Sequence, residues 1–167
     1  RPFMYPLLLR MCADNIILVN LFQNIIRGLA WSFLIYALWF VNLQTWSKCL
    51  LQILLIICSY KLPQQYNNSI MTEDVNLSLW IISIGLLIVV LFLPEVKSRG
   101  MVVIFITYNL VVLLLLFLRS SNFLVVTAYM LIFYAVSGIV LKKHQVSIRP
   151  MMLSVTITLV FLMMSYV

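Results

Sequence analysis

At 167 residues, with 65% hydrophobic and 9% charged side chains, the chain holds far more apolar surface than a water-soluble domain can bury, since soluble domains are roughly half apolar and a quarter charged. The formal net charge is +7, but the eleven Lys and Arg stand singly or in pairs at the edges of apolar runs, a pattern of interfacial anchors rather than of a nucleic-acid-binding face. Cys12, Cys49 and Cys58 have no CxxC spacing, which leaves them as small hydrophobes and supports neither a zinc site nor a disulfide framework.

The bilayer core is about 30 Å thick and a helix rises 1.5 Å per residue, so uninterrupted apolar runs approaching 20 residues read as membrane spans. The predicted fold class is therefore all-α, a polytopic bundle of about five or six transmembrane helices. The chain opens on Arg1 rather than Met, as a processed product or part of a longer translation product would. Residues 1–27 mix short apolar pieces with Arg10, Asp14 and Arg27, and bulky residues from Asn15 to Ile26 recur at helical spacing. This predicts an interfacial or partner-packed helix. Gly28–Leu43 is free of charge and carries Trp31, Tyr36 and Trp39, which predicts the first span. Cys49–Tyr60, bounded by Lys48 and Lys61, suits a surface or re-entrant helix as well as a tilted span.

Residues 61–76 form the extended polar stretch, with Pro63, Gln64, Gln65, Asn67, Asn68, Glu73 and Asp74, and are expected as a loop outside the hydrocarbon. The chain thus divides into an N-terminal part (1–60), this polar loop (61–76) and a four-helix transmembrane block (77–167). In that block Leu77–Leu93, Met101–Leu118, Phe123–Leu141 and Met151–Val167 lack Asp, Glu, Lys, Arg and His. Spans joined by short turns alternate in direction. One side then collects Lys97, Arg99, Lys142, Lys143 and Arg149, and the other holds Lys61 and Arg119. The excess of positive charge places the first side in the cytosol or its equivalent, the mitochondrial matrix.

Moving protons or ions through a bilayer needs ionisable groups at depth. The four spans offer instead hydroxyls and one amide: Ser83, Thr107, Tyr108, Asn109, Thr127, Tyr129, Tyr134, Ser137, Thr156 and Thr158. Such groups fasten helices together through hydrogen bonds between helices or back to the preceding turn. His144 follows Lys142 and Lys143 with no acid, Cys or second His beside it in sequence and reads as a solvated turn residue. Gly85, Ala135 and Gly138 are too few to define a small-residue dimerisation face. No glycine-rich phosphate loop, triad order or carboxylate pair stands out, so no catalytic, cofactor-binding or metal-ligating residue is assigned. Asn67-Asn68-Ser69 and Asn76-Leu77-Ser78 are formal N-glycosylation sequons, usable if the chain enters the secretory pathway.

From Pro94 onward the order is a charged turn, an aliphatic span, Arg119-Ser120-Ser121-Asn122-Phe123-Leu124, a second span holding Thr127, Ala128, Tyr129 and Met130, then Lys142-Lys143-His144. Over residues 94–145 this resembles the early part of the antiporter-like, proton-pumping membrane subunits of respiratory complex I, and the NADH dehydrogenase subunit 2 family in particular. In that family the helix after the Ser-Ser turn carries a glutamate needed for proton transfer. The resemblance aligns that position with Leu131 or its neighbour, so no functional residue carries over. It implies a multi-pass subunit of the mitochondrial inner membrane, without cofactors. As a split or divergent form, it would work beside other subunits of a large respiratory complex, including a chain that supplies the remaining antiporter-like helices. Its expected contacts are those subunits and the lipid bilayer, with no nucleic acid. Two other readings remain open: an accessory subunit of another respiratory complex or of ATP synthase, and a small secretory-pathway membrane protein or transporter.

Overall fold

A computed structural model describes residue 10 and residues 15–66, 72–92, 98–118, 123–144 and 148–166. Among these residues six α-helices follow one another: α1 (Ile16–Ala37), α2 (Thr45–Tyr66), α3 (Thr72–Phe92), α4 (Ser98–Leu118), α5 (Phe123–Lys143) and α6 (Arg149–Tyr166). One turn of 3-10 helix, Leu38–Phe40, extends α1. The expected all-α helical bundle is observed. Four of its segments are long and apolar enough to cross a membrane: Ile17–Phe40, Val75–Phe92, Gly100–Leu118 and Phe123–Lys143. In α2 and α6 the described apolar stretches are shorter, Thr45–Cys58 and Met151–Val160.

The N-terminal half departs from the sequence expectation. An interfacial helix ending near Arg27 and a separate span from Gly28 were expected; the structure has one helix running through both. Asn15, in extended conformation, caps it by accepting the Ile17 N–H at 3.0 Å, which satisfies one of the free donors of a helix start. Gly28 costs a helix about 1 kcal/mol relative to Ala, too little to break an otherwise continuous apolar pattern. Arg27 does not interrupt the helix either, because its guanidinium lies along the surface and donates to the Asn24 side chain one turn earlier. The resulting apolar segment spans 24 residues.

The segment 49–60 lies wholly inside α2, which continues through Lys61 and Pro63 to Tyr66. The polar stretch 61–76 accordingly contributes the end of α2 and the start of α3, with residues 67–71 outside the described ones. At 22 residues α2 is about 33 Å long, while its described apolar stretch, Thr45–Cys58, is about 21 Å, shorter than a bilayer core. Its half-buried side chains Lys48, Gln52, Leu55 and Cys58 recur at helical spacing, while Leu50, Ile53, Leu54, Ile56 and Ile57 are exposed. Where α1 hands over to α2, Lys48 Nζ donates to the Trp39 carbonyl at 3.2 Å and lies 5.9 Å from the centre of the Trp39 ring. With Tyr36 and Trp46 also exposed, this corner has the aromatic-plus-lysine make-up of a membrane interface.

Packing runs from α1 to α3, from α3 to α4 and from α4 to α6, with α5 lying against α3, α4 and α6. The main core is built on α4 and α5, where Met101, Phe105, Tyr108, Leu115, Phe133 and Leu141 are all at most 2% exposed. A second cluster, Ala30, Trp31, Leu34 and Ile81, joins α1 to α3 and takes in Leu55 and Cys58 of α2. The outward faces stay apolar: Leu124, Leu131 and Ile139 of α5 are 68–78% exposed. Exposed apolar surface on this scale is foreign to soluble monomers and is what hydrocarbon contact requires.

Gly85 marks the closest approach of α1 and α3. A Cβ at this position would stand 2.8 Å from two atoms of the Phe33 ring and 3.7 Å from the Leu34 Cα, so a larger side chain forces the ring, and then the helices, apart. Gly85→Leu is expected to destabilise the bundle by about 1–3 kcal/mol, read as a lower midpoint when detergent-solubilised protein is heated and followed by size exclusion. An unchanged midpoint would mean that α1 is not seated on α3 at this point.

Candidate functional site

Three helices bring polar side chains to one point inside the bundle. Asn109 lies at the start of the fourth turn of α4, Tyr134 midway along α5, and Ser154 and Thr158 on successive turns of α6, where the four-residue spacing puts both on one face. Asn109 Nδ2 donates to Ser154 Oγ at 2.9 Å, while Asn109 Oδ1 accepts from Tyr134 Oη at 3.0 Å and from Thr158 Oγ1 at 2.6 Å. Tyr134 Oη also lies 2.8 Å from Ser154 Oγ and 2.8 Å from Thr158 Oγ1. Thr158 Oγ1 has a further acceptor in the Ser154 carbonyl at 2.7 Å. Ser154 and Thr158 are 3% and 1% exposed.

The proton count sets what this cluster can do. Tyr134 carries one hydroxyl proton yet lies within hydrogen-bond distance of three oxygens, and Thr158 has a choice between Asn109 Oδ1 and the Ser154 carbonyl. Rotating a hydroxyl therefore exchanges one satisfied pattern for another without moving a heavy atom. Phenol, amide and alcohols are all neutral at physiological pH, so the cluster can reorient protons but has no group that takes up or releases one. Its chemistry is that of a polar knot joining α4, α5 and α6.

An aromatic wall adjoins it. The Tyr108 and Phe133 rings stack with centres 3.6 Å apart and planes 6° apart, and Tyr134 meets Tyr108 edge-on at 5.8 Å. Phe105 packs edge-on against Phe133 at 6.2 Å. On the α3 side Tyr129 donates to the Ser83 carbonyl at 2.9 Å and packs edge-on against Trp80, with ring centres 5.5 Å apart. Tyr108 itself is fully buried, and its hydroxyl has no hydrogen-bond partner among the described residues. Tyr108→Phe keeps the stacked ring and removes that hydroxyl. It is expected to leave stability unchanged or raise it by up to about 1 kcal/mol, measured in the same thermal assay; a clear loss of stability would show that the hydroxyl has a bonding role.

Of the polar residues singled out in the sequence, the structure unites Asn109, Tyr134 and Thr158. Thr127 and Thr156 instead bond back to the carbonyls of Phe123 and Met152 at 2.7 and 2.9 Å, and Ser83 bonds to the Trp80 carbonyl at 2.8 Å. Thr107 and Ser137 lie outside the cluster. Ser154 was missed, although its four-residue spacing from Thr158 is a signal that the sequence carries. His144 is exposed in the turn after α5, as expected. Leu131, which the resemblance sets at or beside a glutamate position, is 68% exposed on α5, while its neighbour Met130 is 4% exposed.

The sequon Asn67-Asn68-Ser69 falls outside the described residues. In Asn76-Leu77-Ser78 the serine is 1% exposed within α3, so this site would have to unwind to reach a glycosylating enzyme. Comparison with protein-family models, with curated proteins and with solved structures finds no match. The chain therefore has the features of a multi-pass membrane protein, with four helices able to cross and a neutral polar knot in its core.

Proposed function

We propose that the chain is a scaffold subunit of the membrane arm of mitochondrial respiratory complex I, in the inner membrane. It braces a proton-translocating module whose charged groups and redox centres belong to other chains. The observation that supports a bracing role is the neutrality of the α4–α5–α6 knot: every polar atom in it is an alcohol, a phenol, an amide or a backbone carbonyl, and each of its four side chains is hydrogen-bonded. The assignment to complex I leans on the residues 94–145 that resemble the antiporter-like subunits. A companion chain would supply the rest of the antiporter-like fold.

Purification under native conditions tests this reading. The chain is expected to co-purify with NADH:ubiquinone reductase activity and with a polypeptide carrying the remaining antiporter-like helices. Recovery as a lone monomer, or from the endoplasmic reticulum, contradicts it. A second reading is favoured by the missing carboxylate: Leu131 stands at or beside the position where the antiporter-like family carries its glutamate, and neither Leu131 nor its neighbours Met130 and Ile132 is ionisable. In that reading the chain is an accessory subunit of another respiratory complex or of ATP synthase, and no companion chain completes an antiporter fold.

A further inference from the structure

One side of α2 passes from charged to polar to apolar in helical steps. Lys48, Gln52, Leu55 and Cys58 follow at intervals of four and three, so they share that side, and all four are half-buried. At 1.5 Å per residue, Gln52 lies about 6 Å beyond Lys48 and Cys58 about 9 Å beyond Gln52. Lys48 stands at the interfacial corner, where its ammonium gives one N–H to the Trp39 carbonyl and keeps two further donors. The polar layer on each side of a bilayer core is about 5–8 Å thick, so Gln52 falls where that layer meets the hydrocarbon. Gln52 Nε2 is enclosed and has no hydrogen-bond partner among the described residues. The same holds for Trp31 Nε1 of α1, 8% exposed, in the cluster that Leu55 and Cys58 join. Both atoms are N–H donors, so what completes this seam brings acceptor oxygens. No Asp or Glu lies between positions 15 and 72, and neither helix therefore supplies an anion to Lys48.

We propose that the seam between α1 and α2 binds one anionic glycerophospholipid, with its phosphate at Lys48, a glycerol ester carbonyl at Gln52 and an acyl chain along Leu55 and Cys58. The order of side chains down α2 is the order of groups down such a lipid. An ammonium makes charge-assisted hydrogen bonds to phosphate. The terminal torsion of a glutamine is broad and two-fold, so the Gln52 amide can turn its nitrogen to the ester oxygen. The apolar residues below it take the chain out of contact with polar groups. A free phosphate ion would match Lys48 alone and leave the deeper donor without an acceptor. A zwitterionic headgroup would bring a cation for which neither helix has a carboxylate. The inference rests on the membrane setting of the bundle, not on which assembly the chain belongs to.

The test uses the purified full chain in detergent and a phosphatidylglycerol that carries a photoactivatable diazirine in its acyl chain beside the ester, with labelled peptides mapped by mass spectrometry. Label is expected to concentrate within residues 52–58 of α2 or on the part of α1 that adjoins them. Unlabelled phosphatidylglycerol is expected to displace it, while diacylglycerol, phosphatidylcholine and inorganic phosphate at the same concentration do not. Lys48→Gln is expected to raise the concentration for half-displacement roughly tenfold, one decade of affinity, and Gln52→Leu to raise it by less. Lys142→Gln, at the end of α5, is expected to leave it unchanged. Label spread over the outward faces of α3 to α6 without preference for α2, equal displacement by diacylglycerol or phosphatidylcholine, displacement by inorganic phosphate, or an affinity unchanged by Lys48→Gln would each overturn the proposal. If a variant does not accumulate, the label map and the displacement series in the unsubstituted chain still decide. NADH oxidation plays no part in the readout, so failure of the complex I assignment and failure of this lipid site are distinguishable.

Discussion

Asn109→Leu is expected to cut the amount of correctly assembled protein while leaving turnover per assembled complex unchanged. Asn109 holds Ser154 through its amide nitrogen and both Tyr134 and Thr158 through its carbonyl oxygen. A hydrogen bond between membrane helices contributes about 0.6 kcal/mol on average, and a buried hydroxyl that loses its partner costs about 1–3 kcal/mol. Thr158 can fall back on the Ser154 carbonyl and Tyr134 on Ser154 Oγ, so the loss lies toward the lower end of the sum, about 2 kcal/mol. That is roughly a 30-fold shift in the folded-to-unfolded ratio. On the proposed complex I reading, quantitative blue-native electrophoresis gives the assembled fraction and NADH oxidation coupled to proton uptake gives turnover. Intact assembly with collapsed pumping would show that the knot takes part in proton transfer.

Tyr108→Ala is expected to have the larger effect on stability. The ring is fully buried, stacked on Phe133 and edge-on to Tyr134. Removing it empties the centre of the α4–α5 interface, and truncating a buried aromatic to Ala costs about 3–5 kcal/mol. Its effect contrasts with that of Tyr108→Phe, which keeps the ring. The pair of substitutions separates packing from hydrogen bonding at one position. Thermal unfolding of the purified variants checks it, with equal midpoints for Tyr108→Ala and Tyr108→Phe as the result that contradicts the packing account.

The helices α3, α4 and α5 were legible in the sequence because their apolar runs are continuous and bounded by charged or polar turns, whereas the described apolar stretch of α6, Met151–Val160, is shorter than the expected span Met151–Val167. The expected span Phe123–Leu141 and the observed helix Phe123–Lys143 differ by the two lysines that close the last turn, where positive charge suits the helix C-terminus. The start of α1 was less legible. Asn20, Gln23, Asn24 and Arg27 look from the sequence like the polar face of a surface helix, but the helix runs on without a break, burying Gln23 and pairing Arg27 with Asn24. Local pattern could not reveal that continuity, because packing of Ala30, Trp31 and Leu34 against Ile81 of α3 helps to decide it.

The knot was half legible. Asn109, Tyr134 and Thr158 stood out as polar residues in apolar runs, yet nothing in their positions along the chain shows that they meet. Their convergence depends on α4 packing more closely on α6 than on its sequence neighbour α5, a tertiary choice with no local signature. Ser154 was overlooked because a serine in an apolar helix commonly bonds back to its own backbone, as Thr127 and Thr156 do here. Tyr108 shows the reverse case: a conspicuous phenol in the sequence, it serves through its ring.

The apolar spans inside α3 to α6, residues 77–93, 101–118, 123–141 and 151–167, carry no Asp, Glu, Lys, Arg or His, so they can line and brace a path for protons but cannot be one unaided. Proton flux measured across liposomes containing the purified chain alone, under an imposed membrane potential, tests this most directly. Flux equal to that of protein-free liposomes is the predicted result; a potential-driven proton current that rises with the amount of protein would contradict it.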